Sequence, residues 1–417
     1  MSATGQLERG APFALDRAAA AIAAARRAAA AGAAGPADRS LAASFAAEWR
    51  SLAELGSIAG EWWALAARAL EPNVFYEPSF VLAAAPVFGR NAGAVLIWSA
   101  APPRRLVGLF PARVEERRYG LKLPVLLGWT HPYAPLGTPL VDRGVAEPVL
   151  AAWLNHIGGD AALPGLLLLP LVPQDGAFAA TLRAALDHAA MPVADFDRHC
   201  RALLAPQGDR SHYAERALGA RKIKELRRVM RRLSESGAVL LTTAAEPAAI
   251  AASLEDFLEL EAAGWKGKAG TAAACDDEIG RFVKAAVSGL AAEGKASIKR
   301  LLLDGRPIAV AIALRSGDAA WFWKTAYDES FARYSPGIVL ATALTEDLAE
   351  DATIAQADSC AIADHPMMNQ MWRERLSLCD MLIAVRPRAP FSRARRLEAL
   401  RRSAVAAAKR LRNLIRG

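Results

Sequence analysis

The chain has no apolar run near the length of a membrane span. Its longest, Gly165 to Val172 (GLLLLPLV), is interrupted by Pro170 and suits a buried strand. It also lacks a signal-peptide pattern, because Arg17, Arg26 and Arg27 break any apolar stretch near the start. Cysteine is scarce. Cys200, Cys275, Cys360 and Cys379 are spaced too widely for a zinc site or a disulfide framework, which points to reduced thiols in a cytosolic protein. No His-Asp company accompanies them in sequence, so covalent thiol catalysis is not expected. Acid is nearly missing from the last stretch. From Arg386 to Gly417 eleven basic residues face only Glu398, a net of +10, which leaves the rest of the chain near −2 of the formal +8. A basic balance seated in a tail is weak ground for nucleic-acid binding by the folded body.

What is present is ample core. At 417 residues, 53% hydrophobic and 23% charged, the chain is long enough for two or three domains, although alanine inflates the apolar fraction. We expect a flexible Ala-rich leader over 1–40, a lobe over 41–205, a second lobe over 206–386 and a basic tail over 387–417. Helical spacing predicts helices at 41–55, 60–70 and 78–88, followed by strands at 94–100, 105–117 and 123–129. A Pro-rich loop, Thr130 to Pro139, precedes helix 147–157, strand 165–171, helix 177–189 and strand 198–204.

Asp209 to Ser236 reads as one long amphipathic helix with Arg221, Lys222, Lys224, Arg227, Arg228, Arg231 and Arg232 on its polar side. That side suits either solvent or an anionic substrate or carrier. The second half repeats the order of the first: strand 238–243, helix 247–262, helix 276–292, strands 296–303, 308–315 and 321–327, a helix from Ser335-Pro336-Gly337, strand 353–360, helix 366–376 and strand 381–385. Repetition of the element order without matching sequence predicts a duplicated α/β (α+β) architecture, two lobes each with a mixed sheet flanked by helices.

The strand-turn-helix from Trp321 to Leu348 is the centre of the second half. Ser335 is a suitable N-cap, Pro336 fits the first helical position, and Gly337 permits close approach to the helix amides, an arrangement suited to a phosphate or a polarised carbonyl. Around it stand four blocks: the basic helix ending in Leu233-Ser234-Glu235-Ser236-Gly237, LELEAAGWKGKAGTA (258–272), AYDESFARYSPGIVL (326–340) and DSCAIADHPMMNQMW (358–372). With weaker agreement at PNVFYEPSFVL (72–82), these resemble GNAT acyltransferases. The resemblance is to the doubled FemABX-like branch and, more closely, to the CelD/BcsL-type acetyltransferases associated with cellulose and exopolysaccharide synthesis. The chain departs from the pattern in two places. The pyrophosphate signature of the superfamily is replaced by Arg333-Tyr334-Ser335-Pro336-Gly337, and an aromatic-Lys pair by Met368-Asn369.

The resemblance implies transfer of an acyl group from acetyl-CoA or another acyl-CoA to an amine or hydroxyl of a sugar or envelope precursor. It implies amides near Thr325 to Tyr327 for the oxyanion, and Arg333, Tyr334, Ser335, Gly337 and Ile338 for the donor. Tyr327 is a donor to the departing thiolate, as Tyr334 is in principle. Asp358 and His365 are proton acceptors, each with an ordinary structural reading as a turn or loop residue. Trp265, Lys266, Lys268, Trp323, Lys324 and Asp328 fall on the acceptor side.

Two alternatives stand beside this reading: an aminoacyl transferase using charged tRNA, which the basic helix would suit, and a silent GNAT-like module binding a polysaccharide-synthesis partner. The tail, with Leu397, Leu400, Ala404, Ala408, Leu411 and Ile415 at helical spacing, suits either peripheral contact with the inner membrane face or docking on the body. No metal site is expected.

Overall fold

The computed structural model describes residues 45–416; the leader (1–40) and residues 41–44 lie outside that range. Thirteen strands form one sheet, in the order β1-β2-β3-β4-β6-β13-β7-β12-β11-β10-β9-β8, with β5 (Leu140–Val141) paired to β3. The first half contributes β1 (Phe45–Ser51), α1 (Ala59–Ala67), α2 (Pro78–Phe88), β2 (Ala92–Ser99), β3 (Leu106–Arg118), β4 (Leu121–Gly128), α3 (Ala146–Gly159), β6 (Leu166–Pro173), α4 (Ala177–His188) and β7 (Val193–Leu204). The second contributes α5 (Tyr213–Ser234), β8 (Val239–Ala244), α6 (Pro247–Ala263), α7 (Trp265–Lys268), α8 (Asp277–Ala292), β9 (Ala296–Leu303), β10 (Arg306–Ser316), β11 (Ala319–Tyr327), α9 (Pro336–Glu350), β12 (Gln356–Asp358), α10 (Pro366–Met371) and β13 (Glu374–Ala384). The tail helix α11 spans Phe391–Arg416.

The halves exchange their last strands. β7, which ends the first half of the chain, pairs with β12, while β13 pairs with β6, and β7 and β13 lie antiparallel at the centre of the sheet. A cut near 205 therefore follows the chain and crosses the sheet. Each half has an antiparallel four-strand run, β1 to β4 and β8 to β11, leading to one short parallel junction, β4 with β6 and β11 with β12.

Four expected elements differ. The predicted helix at 41–55 is strand β1 over 45–51, antiparallel to β2. Phe45, Ala47 and Trp49 alternate toward the core, and Gly93 opposite makes room for the Trp49 ring, which a Cβ there would strike. The helix at 209–236 breaks at Gly219, whose φ of 79° lies outside the helical region. Strand 353–360 shortens to three residues. The helix predicted through Leu376 stops at Met371, and residues 374–384 form a central strand with partners on both sides. Tertiary pairing overrides a helical pattern there.

Helices α2 and α8 bring the halves together. Phe80 meets Phe282 edge-on at 5.5 Å, and the buried Glu77 carboxylate pairs with Lys295. The start of α11 docks on the body: Ala394 is buried, and the buried Glu398 accepts from Arg118 at 2.7 Å and Tyr119 at 2.9 Å. Leu400 is exposed. Among the described residues no helix is long and apolar enough to cross a membrane.

Candidate active site

β11 and β12 run parallel for three pairs only, Ala319–Gln356 to Trp321–Asp358, and then part. The parting has a local cause. The Asp358 carboxylate accepts from the Cys360 amide at 2.9 Å, Cys360 takes a positive φ of 51°, and the chain turns away from the sheet. Beyond Trp321 the edge of β11 therefore has no strand beside it. A cavity of about 390 Å³ fills the gap. One wall is Phe322 to Tyr327 and the other is Ser359 to Ala361, His365, Met367 and Met368. Leu260, Glu261, Gly264, Trp265, Lys266, Glu329 and Gly337 complete it.

A bulge shapes the first wall. Between β10 and β11 the register shifts so that Ile312 faces Lys324 and Ala313 faces Phe322, leaving Trp323 as the extra residue. A regular strand puts neighbouring side chains on opposite faces; here Trp323 and Lys324 both reach the Tyr133 ring. The Trp323 indole donates to the Tyr133 carbonyl at 2.9 Å, and Lys324 Nζ sits 3.9 Å from the ring centroid. The same shift breaks the expected alternation, so that Tyr327 packs with the α5–α9 core while Trp321 and Trp323 belong to the α2–α8 core.

The cavity holds two lysines in opposite settings. Lys266 pairs with the buried Glu261 at 2.7 Å, and Glu261 also accepts from the Ala273 amide at 2.9 Å. Lys324 has no hydrogen-bond or ion-pair partner among the described residues. Burial, with Lys266 adding repulsion, pushes its pKa down from 10.5 to about 8. Behind it, burial takes His131 down to about 3, so its ring is neutral, stacked on Phe88 at 4.1 Å, with Nε2 unpartnered. Burial, with Glu261 and Asp276 nearby, raises Tyr133 to about 12. The Cys360 thiol is pushed well up by burial and by Asp358.

Of the expected residues, Tyr327, His365, Gly337, Trp265, Lys266, Trp323 and Lys324 line the cavity. Asp358 does not. It is buried in an ion pair with the equally buried Arg201 and borders a smaller cavity of about 50 Å³ beside Trp321 and Leu376, so the expectation that it points into the crevice as a free proton acceptor is corrected. His365 Nδ1 caps α10 by accepting from the Met368 amide at 3.3 Å, and burial lowers its pKa. Asp328 serves the turn, accepting from the Ser330 amide at 3.0 Å and from Arg306 at 3.0 Å. Lys268 is drawn to Glu329 at 2.7 Å, outside the cavity lining.

Arg333 is exposed and stacked on Tyr334 at 4.7 Å. The expected fan of free amides from Ser335 to Ile338 narrows to one. Ser335 N–H goes to Ala332 O, Ile338 N–H goes to Ser335 O and Pro336 has none, which leaves the Gly337 amide without a partner among the described residues.

Tyr133, His131, Glu261, Cys360 and Arg201 were missed as site residues. Glu261 lies inside the LELEAAGWKGKAGTA block, which was a signal for it; Tyr133 lies in a Pro-rich loop 190 residues from its partner Trp323, and nothing local marks that contact.

Residues 220–365 match the family model described as an acetyltransferase (GNAT) domain, a span that runs from α5 through the cavity to His365. The solved structures similar to the chain include FemX, at 10% identity and a TM-score of 0.54, over 78% of this chain and 95% of that one. They also include the C-terminal domain of a putative lysylphosphatidylglycerol synthetase from Agrobacterium fabrum (10% identity, 78% and 91% covered, TM-score 0.49). A third is a tandem GNAT protein from the clavulanic acid biosynthesis pathway (12%, 82% and 99%, 0.40). No curated protein matches. The fold is a mixed α/β architecture with one large mixed sheet flanked by helices, shared with FemX, and its 220–365 segment matches a GNAT acetyltransferase domain.

Proposed function

We propose that the chain transfers an acetyl or other acyl group from coenzyme A to an amine or hydroxyl acceptor in the cavity between β11 and β12. The observation that carries this reading is the parted parallel pair itself. It exposes the unpaired edge of a bulged strand to a cavity with the N-terminus of α9 at its rim.

The reaction needs alignment, a polarised carbonyl and a proton route. The acceptor heteroatom bonds to the thioester carbonyl carbon, the carbon–sulfur bond breaks, and coenzyme A leaves as thiolate while the acceptor loses a proton. The β11 edge from Phe322 to Tyr327 offers backbone donors to the oxyanion. The Gly337 amide and the Arg333 guanidinium suit the donor's phosphates, and the Tyr327 hydroxyl suits the thiolate. Trp265 and Lys266 stand where an acceptor would enter. A sugar or exopolysaccharide precursor as acceptor rests on the sequence blocks that resemble the CelD/BcsL-type enzymes.

A second reading, aminoacyl transfer from charged tRNA, is favoured by α5. Its exposed Arg221, Lys224, Arg228 and Arg231 form a stripe along one helical face with no acidic partner among the described residues. Calorimetric titration with acetyl-CoA and then with charged tRNA separates the readings. Acetyl-CoA binding that Arg333→Ala weakens supports the first. Binding of charged tRNA alone supports the second, and binding of neither leaves a silent module.

A further inference from the structure

We propose that Lys324 is a self-acylation site, whose amine takes the acyl group from bound acyl-CoA when no acceptor is present. The inference rests on the reading of this cavity as an acyl-CoA site.

Lysine side chains on a protein surface are almost wholly ammonium ions at neutral pH and attack thioesters only slowly. The cavity separates its two lysines by what surrounds them. Lys266 is ion-paired with Glu261 at 2.7 Å. Lys324 projects from the bulged strand with its Nζ 3.9 Å from the Tyr133 ring centroid and no carboxylate in contact among the described residues. The groups that face it are Lys266 on α7, Glu261 on α6, Cys360 after β12, and His131 and Tyr133 in the loop from the first half. His131 is neutral and Cys360 stays a thiol, so neither supplies a fixed charge at neutral pH. Burial and Lys266 disfavour the ammonium form and Glu261 favours it, and the balance lowers the pKa to about 8, so that the share of free amine near neutral pH is far above that of a surface lysine. That amine lies on the same strand segment whose edge faces the gap.

The step balances without another reactant. The Lys324 nitrogen bonds to the thioester carbonyl carbon, the carbon–sulfur bond breaks, and the amine's proton leaves with the coenzyme A sulfur. The product is an amide. It removes the charge, adds bulk to the cavity wall, and closes the site to further turnover, so an acceptor that reaches the thioester first protects the enzyme.

The test uses the full chain and acetyl-CoA alone, with site-resolved acetylation followed by peptide mass spectrometry and acetyl-CoA binding followed by calorimetry. The expected result is acetyl accumulation at Lys324 ahead of every other lysine, suppressed by excess coenzyme A. Its rate rises about tenfold between pH 7 and pH 9 and then levels, whereas a lysine at the usual 10.5 rises about a hundredfold over that interval. Lys324→Arg abolishes the signal and keeps acetyl-CoA binding. Lys266→Met moves the midpoint of the pH curve upward, a readout that unspecific surface labelling does not share. Acetyl-CoA binding with acetyl spread evenly over surface lysines, or placed on Lys266, overturns the inference and leaves the cavity reading standing. Absence of acetyl-CoA binding overturns both.

Discussion

The two parallel junctions of the sheet occupy equivalent places in the two halves and have opposite fates. At β4–β6 the pairing covers Leu126–Leu167 and Leu127–Leu168, and the loop after β4 then returns over the gap. Gly137 donates to the Leu171 carbonyl at 3.1 Å, and its backbone lies so close to Pro170 that a Cβ would overlap the Pro170 carbonyl oxygen. Trp129, Ala134 and Leu136 are buried in this loop. At β11–β12 the chain turns away at Asp358 and a cavity opens. The filled junction still serves the open one, because the loop that closes it carries His131 and Tyr133 to the wall beside Lys324. Duplication of an architecture thus does not duplicate a site. What the loop after the fourth strand of each run does decides which junction can hold a ligand.

The comparison can be broken most severely at the turn that opens the second junction. Arg201→Met leaves the Asp358 carboxylate buried without its partner, and we expect a loss of about 3–5 kcal/mol in denaturant unfolding, largely restored when Asp358→Asn is added. Next is the closed junction. Gly137→Ala forces the loop off Pro170, with an expected cost of about 1–3 kcal/mol in the same measurement and no change at the Asp358 turn.

A smaller effect is read from pH. The folded protein holds His131 near 3 against 6.5 when unfolded, so stability is fully present above pH 6.5 and declines as pH falls below it, by up to about 1.4 kcal/mol per unit. Lys324 falls from 10.5 to about 8, so the unfolded chain binds the extra proton between those values and stability rises with pH across them. His131→Phe should flatten the acid limb alone, and Lys324→Met the alkaline limb alone, in pH-dependent unfolding. Smallest is the shared wall. Tyr133→Leu removes the ring under Lys324, an interaction worth about 0.5–2 kcal/mol that favours the ammonium form, and should lower the pH midpoint of Lys324 acetylation.

Much of the fold was legible. Most element positions follow from periodicity, and the repeated order was visible without any sequence match between halves. The first strand was misread because Phe45, Trp49, Leu52 and Leu55 suit a helical spacing as well as a pleated one until β2 supplies the pairing. The strand exchange between β7 and β13 carries no local signal, since either strand satisfies its apolar pattern against either neighbour. At the site, the segment from Trp321 to Ile338 was recognisable as the centre of the second half, and so was the 258–272 block that contributes Trp265 and Lys266. The roles within those segments were harder to read. Asp358 has the residue type and the strand-end position of a crevice acid, but Arg201 lies 157 positions earlier and claims its carboxylate.

The sequence by itself determined the layers, the duplicated order and the location of the strand-turn-helix, because burial periodicity, the proline that opens α9 and turn residues act within a few positions along the chain. Ser335, however, takes a left-handed conformation and makes no side-chain cap bond there. Only the tertiary structure decided which junction stays open, which lysine is desolvated without a carboxylate partner and which carboxylate is claimed by an arginine. Those outcomes depend on desolvation and on partners brought together across the sheet, and electrostatics in a buried site answers to distance in space rather than distance along the chain.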